Sequence, residues 1–194
     1  MADFKFEITY FEKAGIQNTD KTLAIAKKYA ELLNVNDIVL ASTTGMVAEK
    51  SLEYFNPNDY NVVIITHAYY FTGSKNRQEF PENKMEDLKK KGLKLHSSTH
   101  AMSGIERGIR INKEAWQFVD LLAKMIGWQF SQGVKVCIEI ASTTSDAGLI
   151  PDLDRDIICV GGTGRGADTV CLIKPAPTSE FKNLRVKAIL CKPL

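Results

Sequence analysis

Asp37-Ile38-Val39-Leu40-Ala41-Ser42-Thr43-Thr44-Gly45 is the stretch on which the fold turns. Its apolar run, from Ile38 to Ala41, reads as a strand buried on both faces, and Met46, Val47, Leu52 and Tyr54 beyond the glycine begin a helical stretch. Strand, turn and helix start, in that order, open a βα unit. Unpaired N–H groups and the positive dipole end sit at such a turn, where the hydroxyls of Ser42, Thr43 and Thr44 beside Gly45 let phosphate oxygens approach closely. Plain N-capping by Thr43 or Thr44 is the structural alternative.

The pattern continues on both sides. Upstream, Phe4, Phe6, Ile8 and Tyr10 alternate with polar residues as in a half-buried strand that Gly15 ends. A helix follows, capped by Asn18 or Thr19, with Asp20 in its first turn and Leu23, Ala26, Ala30 and Leu33 as its core stripe. Downstream come a helix over residues 45–55, the strand Val62-Val63-Ile64-Ile65, a helix over residues 82–91 and a strand over residues 93–96. Apolar strands without alternation, joined through helices, imply a parallel sheet covered on both faces with right-handed crossovers, a three-layer α/β/α sandwich. The polar segment 72–83, with Gly73, Ser74, Asn76 and Pro81, reads as a loop able to move over a site.

Two further helical patterns, Trp116-Val119-Ala123-Ile126 and Phe130-Val134-Ile138-Ala141, should pack on the sheet. A terminal strand carries Leu184, Val186, Ala188 and Leu190 before Pro193. No linker interrupts residues 1–194, which read as a single domain. Ala-Ser-Thr-Thr occurs at residues 41–44 and again at 141–144, and the second copy, helical and without the glycine, reads as coincidence.

A second anion-type loop stands between Ile157-Ile158-Cys159-Val160 and Val170-Cys171-Leu172-Ile173. It reads Gly161-Gly162-Thr163-Gly164-Arg165-Gly166-Ala167-Asp168-Thr169, with four glycines in six positions. Such a loop exposes N–H groups and permits positive φ, so it can wrap an anion while Arg165 supplies charge and directional donors. The alternative is a tight hairpin with a solvated arginine.

In a parallel sheet the strands' carboxyl ends share one edge, where ligands bind. Residues 42–45, Thr66-His67, Thr99-His100 and Gly161-Gly162-Thr163-Gly164 all fall there. His67 and His100 can hydrogen-bond a ligand or relay a proton, or simply cap, and no spacing supplies a third ligand for a metal. Ser103-Gly104-Ile105-Glu106 fits a capping box. Arg107 and Arg110 follow within reach of a phosphate or of solvent, and Tyr69, Tyr70 and Phe71 can stack on a planar ring or fill a loop core. There is no Gly-x-Ser-x-Gly elbow, Walker lysine motif or Cys-x-x-Cys, so nucleophilic catalysis finds no support.

Composition bounds the rest. A chain of 194 residues with 44% hydrophobic content can bury about 70% of its unfolded surface in one core. With 25 basic and 23 acidic residues, the net charge of +2 gives no footprint for nucleic acid or an anionic membrane. The start lacks an apolar signal core and no apolar run is long enough to span a bilayer, so a soluble cytoplasmic protein is expected. Cys137, Cys159, Cys171 and Cys191 lie apart in apolar segments, as reduced core thiols do.

Taken together, Thr9-Tyr10-Phe11-Glu12-Lys13, Thr99-His100-Ala101-Met102-Ser103-Gly104 and the glycine-rich loop resemble the C-terminal α/β domain of pyruvate kinase. The resemblance is closer to the standalone proteins of archaea and bacteria built from that domain, and it covers nearly the whole chain. It implies a mostly parallel five-stranded sheet in which the strand after the glycine-rich loop is antiparallel. Without the catalytic barrel, pyruvate kinase activity is not expected. In some kinases this domain binds a sugar bisphosphate through a Thr/Ser-Gly turn and a glycine-rich loop, here residues 42–45 and 163–168, although the sugar effector does not carry over. Standalone members are able to hold flavin mononucleotide (FMN). The implied cofactor-binding set is Ser42, Thr43, Thr44, Gly45, Thr66, His67, Thr99, His100, Ser103, Gly162, Thr163, Gly164, Arg165, Gly166 and Asp168, with phosphate at the two loops and the ribityl chain or ring near the histidines. An extra helix near residues 112–128 departs from the kinase domain, as a cover for the site or an interface. A homo-oligomer is expected from related domains. Three functions follow as alternatives: binding of a phosphorylated small molecule, an enzyme using His67 or His100, and a regulatory interaction module.

Overall fold

The computed structural model describes Asp3, residues 5–112 and residues 115–194. Phe4 of the first strand pattern, and Lys113 and Glu114 of the extra helix, lie outside the described residues.

The chain forms one mixed sheet with helices on both of its faces. The strands are β1 (Thr9–Phe11), β2 (Asp37–Ala41), β3 (Asn61–His67), β4 (Lys94–Ser98), β5 (Ile157–Gly161), β6 (Thr169–Lys174) and β7 (Arg185–Pro193), in the order β1-β7-β6-β5-β2-β3-β4. Only β6 runs against the others, being antiparallel to both neighbours. The sheet therefore has seven strands where the resemblance implies five. The reason lies in β6, which is buried from Thr169 to Ile173 and so cannot be an edge; β7 pairs along its far side and β1 adds beyond β7.

The helices are α1 (Thr19–Leu33), α2 (Met46–Ser51), α3 (Glu82–Lys90), α4 (Ile105–Ile111), α5 (Phe118–Gln129) and α6 (Gln132–Asp146). Strand residues alternate between two cores because successive side chains point to opposite faces. Ile38, Leu40, Val62 and Ile64 join Leu23, Ala26, Val47 and Leu88 on one side. Val39, Val63, Ile157 and Cys159 join Val134, Cys137, Ile138 and Ala141 of α6 on the other. All four cysteines are free and buried.

Several local expectations are corrected. The first strand is only Thr9–Phe11, and it exposes Tyr10 while burying Phe11. Its partner β7 offers register only from Cys191 to Pro193, so Phe6 instead packs on Tyr29 of α1. Neither Thr43 nor Thr44 caps α2. Gly45 occupies the cap with φ of 90°, and Ser42 Oγ accepts the Ala48 N–H at 3.2 Å. Nor does Asn18 cap α1 with its side chain; Thr19 Oγ1 donates to the Ile16 carbonyl and accepts the Ala167 N–H. The capping box at α4 does not form, since Glu106 accepts the Asp120 N–H at 2.7 Å and Gly104 stands at the cap without a side-chain bond. Among the described residues, no helix is long and apolar enough to cross a membrane.

Candidate functional site

The carboxyl ends of β2, β3, β4 and β5 open onto a cavity of about 240 Å³. Ser42 and Thr43 reach it from β2, Thr66 and His67 from β3, Ser98, Thr99 and His100 from β4, and Gly162, Gly164, Arg165 and Gly166 from the loop after β5. The remaining wall is α6. Gln132, Lys135, Val136, Glu139, Ile140 and Thr143 line the cavity at spacings that put them on one helical face. Glu79, from the loop before α3, is also part of the wall.

Five residues of the implied binding set do not line it: Thr44, Gly45, Ser103, Thr163 and Asp168. Gly45 serves packing, for a Cβ there would stand 2.5 Å from the Phe80 ring. The Ser103 N–H donates to the His100 carbonyl, and the Thr163 carbonyl accepts the Gly166 N–H. Asp168 is fully buried, its carboxylate accepting the Gly15 N–H and the Thr169 hydroxyl, each at 2.9 Å. With Ala167 bonded to Thr19 and Thr22, the far half of the glycine-rich loop is a structural anchor to the start of α1.

The near half is a tight turn. Gly164 and Arg165 both have positive φ, at 58° and 67°, and the Gly166 N–H closes the turn on Thr163. Gly162 is required by close approach, because a Cβ there would meet the Gly166 carbonyl at 2.1 Å. The hairpin alternative thus holds for the backbone, but Arg165 is not merely solvated. Its guanidinium Nη2 donates to Glu79 Oε1 at 2.6 Å.

From that pair, charged and imidazole groups continue across the cavity. Glu79 Oε2 lies 3.4 Å from His67 Nδ1, and the His67 and His100 ring centroids are 5.0 Å apart. His100 Nδ1 lies 3.8 Å from Glu139 Oε2, which accepts from Lys135 Nζ at 2.7 Å. Phe71 closes the imidazole pair, 4.1 Å from His67 and stacked at 4.8 Å on His100. The spatial order Arg165, Glu79, His67 is matched by Lys135, Glu139, His100, so two cation–carboxylate–imidazole sets meet at their rings.

The environment fixes the charges. Arg165 beside Glu79 holds that carboxyl below its ordinary range. Burial lowers His67, and burial followed by the Lys135 charge pushes His100 down to about 3, so both imidazoles are neutral at pH 7. Burial raises Glu139 while Lys135 opposes the rise. At 3.4 Å, Glu79 is near enough to His67 for charge interaction, and among the described residues Nδ1 has no hydrogen bond of good geometry.

Arg110 pairs with Asp120 and covers Trp116, and Tyr69 packs under Arg77, whereas Arg107 sits over Phe71 at 4.4 Å, where its charge also helps to lower both imidazoles. Sequence reasoning missed Glu79, Lys135, Glu139 and Thr143. Lys135 and Glu139 did leave a signal, an i,i+4 ion pair on the helical face beside the Val134, Ile138 and Ala141 stripe. Thr143 belongs to the second Ala-Ser-Thr-Thr copy. No protein-family model matches the chain.

Proposed function

We propose that the chain binds a phosphorylated small molecule at the carboxyl edge of its sheet. We read its fold as pyruvate kinase C-terminal domain-like, a reading supported by the mixed sheet with its antiparallel strand directly after the glycine-rich loop. The observation that carries the proposal is that Thr43, Lys135 and the Gly164-Arg165 turn, remote from one another in sequence, line one cavity. Hydroxyl, backbone and cationic donors converge there, and these are the groups that recognise phosphate oxygens.

Arg165 is already paired, so a phosphate must displace Glu79. The Arg165 side chain is 62% exposed, and a pair of that kind contributes about 0–1 kcal/mol. Hydrogen bonds to a charged group contribute about 1.5–3 kcal/mol each. The exchange therefore favours a phosphate able to take two donors.

FMN fits the donor set: cations and the Thr43 hydroxyl for phosphate, polar side chains at the cavity floor for the ribityl hydroxyls, and the His67 and His100 imidazoles as flat neighbours for a ring. A cavity of about 240 Å³ is just under the range of about 300–1,000 Å³ for drug-sized ligands. It accommodates phosphate and a short polyol chain, leaving a three-ring flavin to extend past the rim. FMN would supply redox chemistry when bound. Free, buried cysteines support a cytoplasmic setting.

Calorimetry with FMN, sugar phosphates and inorganic phosphate tests the proposal. Binding of a phosphate compound, weakened on the order of tenfold or more by Arg165→Ala, is the expected result. Absence of binding by all of them would end it.

A second reading, a proton-transfer enzyme acting on a phosphorylated substrate, is favoured by the two neutral imidazoles with carboxylates at 3.4 and 3.8 Å. A carboxylate beside an imidazole orients it and stabilises its protonated form. If turnover of a phosphorylated substrate persisted unchanged in the His67→Asn/His100→Asn double variant, these histidines would have no such role.

A further inference from the structure

We infer that α5 presents a docking face for a second copy of this chain, so that two copies associate about a two-fold axis through their α5 helices. Helical periodicity gives α5 two apolar sides. Val119, Ala123 and Ile126 turn inward and join the core on the α6 side of the sheet. Phe118, Leu121, Met125 and Trp128, at steps of three and four residues, form a stripe on the opposite side, and that stripe faces solvent. Trp116 and Phe130 flank it at the two ends of the helix. A helix that is apolar all round belongs in an interior, yet α5 has only one side covered among the described residues.

Area and charge select the occupant. Phe118 is 78% exposed, Trp128 63%, Phe130 52% and Trp116 44%. At about 150–250 Å² for a whole aromatic side chain, these four present roughly 470 Å² to solvent. An interface of standard size buries about 800 Å² per partner, of which about 65% is apolar in homodimers. The four rings with Met125 and Leu121 are therefore enough for the apolar part of one. Of the two charges on α5, Asp120 is paired with Arg110, and Lys124 lies beside the stripe, 5.7 Å from the Trp128 ring centroid. The stripe itself carries no charge, so it has no complement to offer an acidic or a basic partner, and its match is another apolar stripe. A second copy supplies one: in a two-fold contact the same residues meet on both sides, and ridges at these steps interlock with those of the facing helix. Lys124 then stays at the rim, where charges belong.

Sedimentation equilibrium of the full chain, with no ligand added, tests this. The expected result is a reversible monomer–dimer equilibrium that Phe118→Glu and Trp128→Glu each weaken at least about thirtyfold, the scale of an aromatic hot spot. Leu32→Glu is the control. Leu32 is 67% exposed on α1, which packs on the other face of the sheet, and its variant should dimerise within about twofold of the wild type. A second readout needs no variant: Trp116 and Trp128 are the two tryptophans of the chain, and both leave water on association, so fluorescence emission should move to the blue as dimer forms. A monomer at every concentration, a dimer that folded Phe118→Glu and Trp128→Glu proteins retain, or emission unchanged by dimerisation would overturn the inference. None of these outcomes bears on phosphate binding at the cavity.

Discussion

Arg165 on the glycine-rich turn and Glu79 in the loop before α3 meet at 2.6 Å, joining two segments that are 86 residues apart in the chain. The contact makes Glu79 a competitor for the cation that a phosphate needs. Glu79→Gln removes the competing charge and leaves the shape. Affinity for inorganic phosphate should rise several-fold, on the scale of a partly exposed ion pair. Unchanged or weaker binding by calorimetry would show that Arg165 does not serve the anion.

The Lys135–Glu139 pair, with side chains 11% and 5% exposed, is costly to break and cheap to replace. Lys135→Met leaves a buried carboxylate uncompensated and should cost about 3–5 kcal/mol. Lys135→Met/Glu139→Leu removes both charges and should recover most of that loss in denaturant unfolding. A double variant no better than the single would mean that the pair does not act as a unit.

Stability should fall on acidification through His100. Its folded-state pKa is about 3, against 6.5 as its ordinary value, so between those values the unfolded chain holds the extra proton. A base depressed in this way gives its full stabilisation above pH 6.5 and loses it as pH falls toward 3. The slope approaches about 1.4 kcal/mol per pH unit for one proton. His67 is also lowered and adds in the same sense, whereas Glu139, raised by burial, opposes it as pH rises. Denaturant midpoints compared at pH 7 and pH 5 should drop for the wild type and drop less for His100→Gln. Parallel slopes would contradict the assignment.

Gly45 tests the geometry of the turn independently of any ligand. Its φ is 90° and an added Cβ would lie 2.5 Å from Phe80 Cε2. Gly45→Ala should cost about 1–3 kcal/mol, and Phe80→Leu in the same chain should relieve part of the clash. A fully stable Gly45→Ala protein would mean that the turn adopts another conformation.

How much of this was legible in the sequence follows from where each constraint resides. β2, β3 and β5 are covered on both faces, so their burial appears as unbroken apolar runs, and the βαβ order follows from the helices between them. Edge strand β1 has no such signature: the alternation from Phe4 to Tyr10 is local, while pairing depends on how much of β7 is available. Local motifs fail where a distant donor intervenes, as when the Asp120 N–H claims Glu106. The loops at the strand ends could be placed on one edge from topology alone. Glu79 could not, because nothing near it in sequence announces Arg165. Lys135 and Glu139 were visible as an i,i+4 charge pair flanking the core-facing stripe, but that they look into a cavity is decided by α6 lying across the strand ends.

Phosphate binding as proposed requires that Thr43 and Gly164 belong to one anion site. Titrating isotope-labelled protein with ribitol phosphate, while following backbone amide resonances, tests it most directly. The Thr43 and Gly164 amides should shift together along one saturating curve with a single dissociation constant. Shifts confined to other surfaces, or two curves with different constants for these amides, would contradict it.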